Sequence, residues 1–199
     1  MREGLGDDRC EARGVYCDAA DGESLRAALR AEERIDLFCA NAGDCRCVLS
    51  RGGTALAMSI DHKPSRPDEA TRIAEAGGWV AKGRLHGVLA VSRAFGDVEH
   101  KGKLKQWFQP DVEFRGDPLI AEPEVAVEQL LPVDEFAIVG CDGLWDVITS
   151  QQAVNYVRRK LTETRDAGKA AQALVDKALE NHTIDNVSVV LVCFQQVFQ

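Results

Sequence analysis

The sequence predicts an α+β fold built in layers, and three observations carry that expectation. A strand–turn–strand–turn–strand run spans 37–58, two amphipathic helical stretches follow one another at 152–161 and 170–179, and a β-branched run occupies 187–194. Antiparallel strands interspersed with pairs of helices can bury their apolar sides only by stacking as layers.

The elements follow in order. Residues 1–22 mix Gly, Asp, Arg and Cys without a sustained period and read as a poorly patterned leader. Ser24 then precedes Leu25, Ala28 and Leu29, a spacing that predicts a short helix capped by Ser24. Strands are expected at 37–42, 46–50 and 54–58, joined by Gly43-Asp44 and by Arg51-Gly-Gly53 as an antiparallel meander. Pro67-Asp-Glu opens a helix that Gly77-Gly78 closes. Short strands are expected near 79–80, 84–85 and 89–91, before an irregular stretch of some 30 residues. A stretch that long inside a compact domain is more often functional than not. Residues 124–130 alternate like a half-buried strand, and 136–140 read as a strand buried on both faces.

Composition narrows the partners. With 199 residues, 45% hydrophobic and 28% charged, the chain has ample material for a core, and its formal net charge is -8. That balance argues against nucleic acid or an anionic membrane surface as the main partner, since both require clustered Lys and Arg. No apolar stretch approaches a membrane span, and the start carries no signal-peptide pattern. The seven cysteines, Cys10 and Cys17 in the leader among them, show no zinc-like spacing. Reduced thiols in a cytoplasmic or nuclear compartment are expected.

Four aspartates share one feature: each stands at the edge of an apolar strand. Asp44 follows the first strand, Asp142 and Asp146 follow 136–140, and Asp185 precedes the last. Each alone suits a turn or cap. Four carboxylates converging without histidine or thiolate companions suit a hard cation with oxygen ligands and retained water.

Seven stretches in order carry a resemblance. They are Ala40-Asn-Ala-Gly-Asp-Cys-Arg46, Asp61-His-Lys-Pro64, Arg72-Ile-Ala-Glu-Ala-Gly-Gly78, Leu89-Ala-Val-Ser-Arg-Ala-Phe-Gly-Asp97, Ala121-Glu-Pro-Glu124, Cys141-Asp-Gly-Leu-Trp-Asp146 and Asp185-Asn-Val-Ser188. Together they resemble the metal-dependent (PPM, type-2C) protein serine/threonine phosphatases. The resemblance implies a four-layer α/β/β/α sandwich, with 1–34 as a leader and 35–199 as the type-2C phosphatase-like domain. It implies Mg²⁺ or Mn²⁺ at one edge, activating a water that attacks phosphoserine or phosphothreonine of a phosphoprotein substrate. Asp142 and Asp185 match ligands of one ion, and Asp44 and Asp146, with Asp142, those of a third and weaker ion. Arg93 and Asp97 fall in a motif near the site and are read as structural, and 98–123 corresponds to the family's variable flap.

The family's opening segment, with its Asp-Gly-His-Gly stretch, has no match here. The sequence therefore reads as an N-terminally incomplete domain. No residue is assigned as catalytic or substrate-binding, and His62, His86, His100 and His182 are read as surface or core residues. Phosphatase activity near background is expected of the chain as written. The alternative is a pseudophosphatase binding module that engages a phosphoprotein or kinase without catalysis. Oligomeric state is not legible in the sequence.

Overall fold

The computed structural model describes residues 34–102, 106 and 110–194. The helix expected after Ser24, and Cys10 and Cys17, lie outside them.

Strands β1 (Asp36–Asn41), β2 (Arg46–Arg51) and β3 (Thr54–Ala57) lead to helix α1 (Pro67–Glu75). The hairpin β4 (Val80–Ala81) and β5 (Arg84–Leu85) follows, and a long irregular stretch then reaches β6 (Glu124–Gln129) and β7 (Asp134–Gly140). Helices α2 (Asp142–Trp145), α3 (Ser150–Thr164) and α4 (Ala167–Glu180) precede β8 (Val189–Cys193). The main sheet has the order β3-β2-β7-β8, and all its pairings are antiparallel.

Alternation along the strands divides this sheet into two buried faces. Val48, Phe136 and Ile138 meet Ala153, Val154, Val157 and Leu161 of α3 and Ala170, Leu174 and Ala178 of α4. Cys47, Leu49, Ala137 and Val139 point the other way and meet Cys39, Leu130 and Phe194. The chain is thus α+β in layers as expected: among the described residues a helix pair, the four-stranded sheet and the two-stranded β1-β6 sheet form the layers, with the β4-β5 hairpin as a separate small sheet. The irregular region is anchored by a smaller core of Ile73, Leu85 and Leu119.

The meander expectation is corrected at β1. That strand does not pair with β2 but with β6, antiparallel, with Phe38 opposite Val127 and Asn41 opposite Glu124. The reason lies in the side chains. Cys39 of β1 and Cys47 of β2 fill the same core between the sheets, so the strands lie face to face rather than edge to edge. The turn between them carries the chain from one layer to the other. A second correction concerns 89–91, where a strand was expected. Only Leu89 makes an isolated bridge, to Leu85. His86 between them has φ 53, a left-handed conformation that breaks the extended run.

Candidate metal centre at the acidic rim

In an antiparallel sheet the C-terminal end of β7 lies beside the N-terminal ends of β2 and β8, so three connections meet at one rim. Asp44 stands on the β1–β2 turn, Asp142 opens α2, Asp146 caps it, and Asp185 lies on the connection from α4 to β8.

Cys141 and Gly143 lace two of these connections together. The Cys141 thiol donates to the Asn186 carbonyl at 3.1 Å, and the Ser188 amide donates to Cys141 Sγ at 3.2 Å. A β-carbon placed on Gly143 would lie 3.1 Å from the Asn186 carbonyl carbon and 3.4 Å from Asp185 Cβ. Only a residue without a side chain lets the start of α2 approach the Asp185 loop this closely. Below it, Leu144 and Trp145 are buried, and Trp145 Nε1 donates to the Gly140 carbonyl at 2.8 Å, folding α2 back on β7. The carboxylates are held locally: the Gly143 amide donates to Asp142 Oδ1 at 2.9 Å and the Asn186 amide to Asp185 Oδ1 at 2.7 Å.

Asp44 is placed by a buried clamp. The Gly43 amide donates to His62 Nδ1 at 3.2 Å, the His62 amide donates to the Gly43 carbonyl at 2.9 Å, and Asn41 Nδ2 donates to the same carbonyl at 3.1 Å. Burial, with Arg93 nearby, holds the His62 imidazole below its ordinary pKa, which favours the neutral ring that can accept from Gly43. Of the two places the sequence reading allowed, surface or core, His62 takes the core.

The electrostatics show which groups gather. The Asp142 carboxyl is pushed above the ordinary aspartate range by burial first and then by the Asp44 carboxylate, with Asp185 adding to it and Lys63 opposing. Three of the four aspartates are therefore close enough to feel one another. Asp146, exposed on the outer side, acts on Arg46 and Lys63.

Three further residues of the rim were not singled out from the sequence. Lys63 Nζ is ion-paired with Asp44 Oδ2. Arg46 donates to both oxygens of Asp61, Nε at 3.0 Å and Nη2 at 2.9 Å, and its guanidinium lies 5.4 Å from the Trp145 ring. The signal was present: Asp44 and Arg46 face Lys63 and Asp61 in antiparallel order, with charges reversed. Among the described residues no group of three or more His, Cys, Asp or Glu side chains is arranged to hold a metal ion.

Arg93 has the structural role expected. It pairs at 2.8 Å with Glu69, which is buried and also pairs at 2.8 Å with Arg72. Asp97 sits in a left-handed conformation, φ 47, before a short 3-10 turn. His86 is buried against Trp79 and Phe114.

Comparison with known proteins follows the same lines. A family model described as Protein phosphatase 2C matches residues 18–187. Probable protein phosphatase 2C 22 of Arabidopsis thaliana is 48% identical over 159 residues, covering 80% of this chain and 40% of that protein. Probable protein phosphatase 2C 57 of Oryza sativa subsp. japonica is 45% identical over 184 residues, covering 92% of this chain and 48% of its own length. Among solved structures, a phosphatase from a pathogenic strain of Toxoplasma gondii aligns with a TM-score of 0.68 at 31% identity, over 80% of this chain and 48% of that one. A C. elegans sex determining protein aligns with a TM-score of 0.70 at 25% identity, over 92% of this chain and 40% of that one. The chain thus spans less than half the length of each of these four relatives.

Proposed function

The chain belongs to the protein phosphatase 2C family, and on that premise we propose that its acidic rim binds Mg²⁺ or Mn²⁺ in the service of phosphoserine and phosphothreonine hydrolysis on phosphoproteins. The observation that carries this reading is the lacing of the Asp142 and Asp185 connections through Cys141 and Gly143, which brings together two carboxylates far apart in sequence.

The donor set supports a hard cation: it is all carboxylate, without thiolate or imidazole. The Asp142 carboxyl is raised by burial first and then by the Asp44 and Asp185 carboxylates, which Lys63 only partly offsets, and a divalent ion would relieve the like-charge part. Asp142 and Asp185 would hold the ion, with water completing its shell, and Asp44 and Asp146 would flank it. When bound, such an ion supplies Lewis-acid activation of water at neutral pH. Arg46 and Lys63 keep the other carboxylates of the rim from repelling one another.

A two-ion site needs a carboxylate shared between the ions. No third ligand joins Asp142 and Asp185 among the described residues, so the chain is proposed to take one hydrated ion and to turn over phosphoesters near background. The net charge of -8 fits a protein partner rather than nucleic acid or an anionic membrane. Among the described residues no helix is long and apolar enough to cross a membrane. A reducing, cytoplasmic or nuclear setting is proposed with it; Cys39, Cys141 and Cys193 form no disulfide.

The test is calorimetry with Mn²⁺ on the full chain and on Asp142→Ala, alongside turnover of a small phosphomonoester. Weakened binding in the variant and turnover near background are expected. Identical isotherms would remove the cation assignment, and turnover matching a complete family member would refute the one-ion limit. The Lys63–Asp44 pair favours a second reading, a binding module without catalysis; saturable phosphopeptide binding without turnover in Mn²⁺ would support it.

A further inference from the structure

We propose that the Lys63 ammonium is the resident counter-ion of the acidic rim, that it keeps Asp44 from ligating a cation, and that a divalent ion reaches Asp44 only by displacing it. The inference rests on the cation-binding reading above and concerns which carboxylates an incoming ion finds available.

The geometry assigns this role to Lys63 alone among the basic groups of the rim. Arg46 is committed to both oxygens of Asp61 and lies over the Trp145 ring, so its planar fork is fixed. Lys63 engages one oxygen of Asp44 and lies within electrostatic reach of Asp61, Asp146 and Asp142. Its backbone is anchored: the Lys63 amide donates to the Asp61 carbonyl at 3.0 Å, and the Arg66 amide donates to the Lys63 carbonyl at 2.9 Å. His62 beside it is wholly buried. The ammonium, by contrast, ends a four-carbon stem whose side chain is 38% exposed, so it can swing into solvent without moving the loop. A tethered single charge on an aspartate both occupies an oxygen and repels a divalent ion. The ion is therefore steered to Asp142 and Asp185, which are not ion-paired to Lys63.

Calorimetry with MnCl₂ on the full chain tests this with four proteins: parent, Lys63→Met, Asp44→Asn and the double variant. Lys63→Met is expected to bind Mn²⁺ about tenfold tighter, the effect of removing one repelling charge at short range. Asp44→Asn in the parent is expected to weaken binding, because it removes a carboxylate that acts on Asp142 and leaves the Lys63 charge unpaired, and in the double variant to cancel the gain. Lys63→Gln, which keeps a hydrogen bond to Asp44 without the charge, gives the same tightening if Lys63→Met folds poorly. Unchanged or weaker binding in both Lys63 variants, with parent binding still sensitive to Asp142→Ala, overturns this inference and leaves the proposed function standing. Absence of Mn²⁺ binding in every protein overturns both.

Discussion

Gly143→Ala separates a site assembled by close approach from one assembled by chance proximity. The added β-carbon would stand 3.1 Å from the Asn186 carbonyl carbon, closer still to its oxygen, and 3.4 Å from Asp185 Cβ. The contact is with backbone, so no rotamer change relieves it, and the Asp185–Asn186 segment must retreat by about 1 Å, a strain of roughly 1–3 kcal/mol for overpacking. Replacing Gly by Ala within a helix returns roughly 0.5–1 kcal/mol. The net loss is about 1–2 kcal/mol, a fall in Tm of about 3–6 °C for a chain of this size.

The effect on the site is larger than the effect on stability. Metal–ligand distances tolerate about 0.2 Å, so moving Asp185 away from Asp142 by about 1 Å would remove one of the two proposed ligands. A fall in Mn²⁺ affinity of at least about tenfold is expected by calorimetry, with thermal melts in chelator as the companion measurement. Gly52→Ala is the control. Its φ is 56 with nothing within 4 Å of the added carbon, so it costs roughly 1–2 kcal/mol of left-handed strain at the far end of β2 and leaves affinity untouched. If Gly143→Ala binds Mn²⁺ like the parent while melting lower, Asp142 and Asp185 do not share an ion, and the proposed metal centre is refuted.

Other perturbations address the charges. Asp142→Asn should raise the metal-free stability at neutral pH, because burial and Asp44 disfavour the ionised carboxyl in the folded state. The sign is that of a raised folded pKa: in the parent, the cost of the ionised group is present at neutral pH. It is relieved as pH falls through the folded pKa toward the unfolded value of 3.8. Melts in chelator between pH 7 and 4 check this, and a variant less stable than the parent at pH 7 would contradict it. Glu69→Gln removes the buried carboxylate between Arg72 and Arg93 and should cost about 3 kcal/mol or more in urea unfolding at pH 7. Burial works to raise the Glu69 pKa, but the hydrogen bonds from Arg72 and Arg93 outweigh it, so the folded value lies well below 4.5. Its stabilisation is therefore complete above pH 4.5 and fades as pH falls below it, and the variant should show a flatter acid limb.

Much of this architecture was legible because local patterns and tertiary placement agree. The strands at 136–140 and 46–50 fall within β7 and β2, and both lie in the centre of the main sheet, where continuous apolar runs belong. Helix α3 begins at Ser150, two residues earlier than its apolar stripe suggests. Thr149 and Gln152 form a capping box, a signal written in the sequence but outside the hydrophobic period. The partner of β1 was not legible. Alternation states that Cys39 faces inward, but an inward face is shared by an edge-paired neighbour and by a strand in a facing sheet. Glu69 was hidden for a related reason: an acid in the first turn of a helix reads as a macrodipole contact until Arg72 and Arg93 close over it.

The aspartates were legible as a group but their individual states were not, and the difference is electrostatic. Strand-edge position predicts that Asp44, Asp142 and Asp185 come to one rim. It does not predict that Asp44 arrives with Lys63 attached while Asp142 has no side-chain cation of its own. In a rim of five carboxylates, Asp44, Asp61, Asp142, Asp146 and Asp185, served by Arg46 and Lys63, the two basic side chains divide unevenly. Arg46 pairs with Asp61 through Nε and Nη2 and turns Nη1 to the Ser150 hydroxyl, so the deficit falls on Asp142, the carboxyl that is pushed upward by burial and by Asp44. On the proposed cation reading, affinity for a divalent ion would be set by the loop 61–63 as much as by the aspartates it faces. Exchanging the signs of the Arg46–Asp61 pair as Arg46→Asp with Asp61→Arg keeps the pair but brings a carboxylate onto β2. That exchange should disturb Mn²⁺ binding far less than Lys63→Met does, because it leaves the Lys63–Asp44 contact in place.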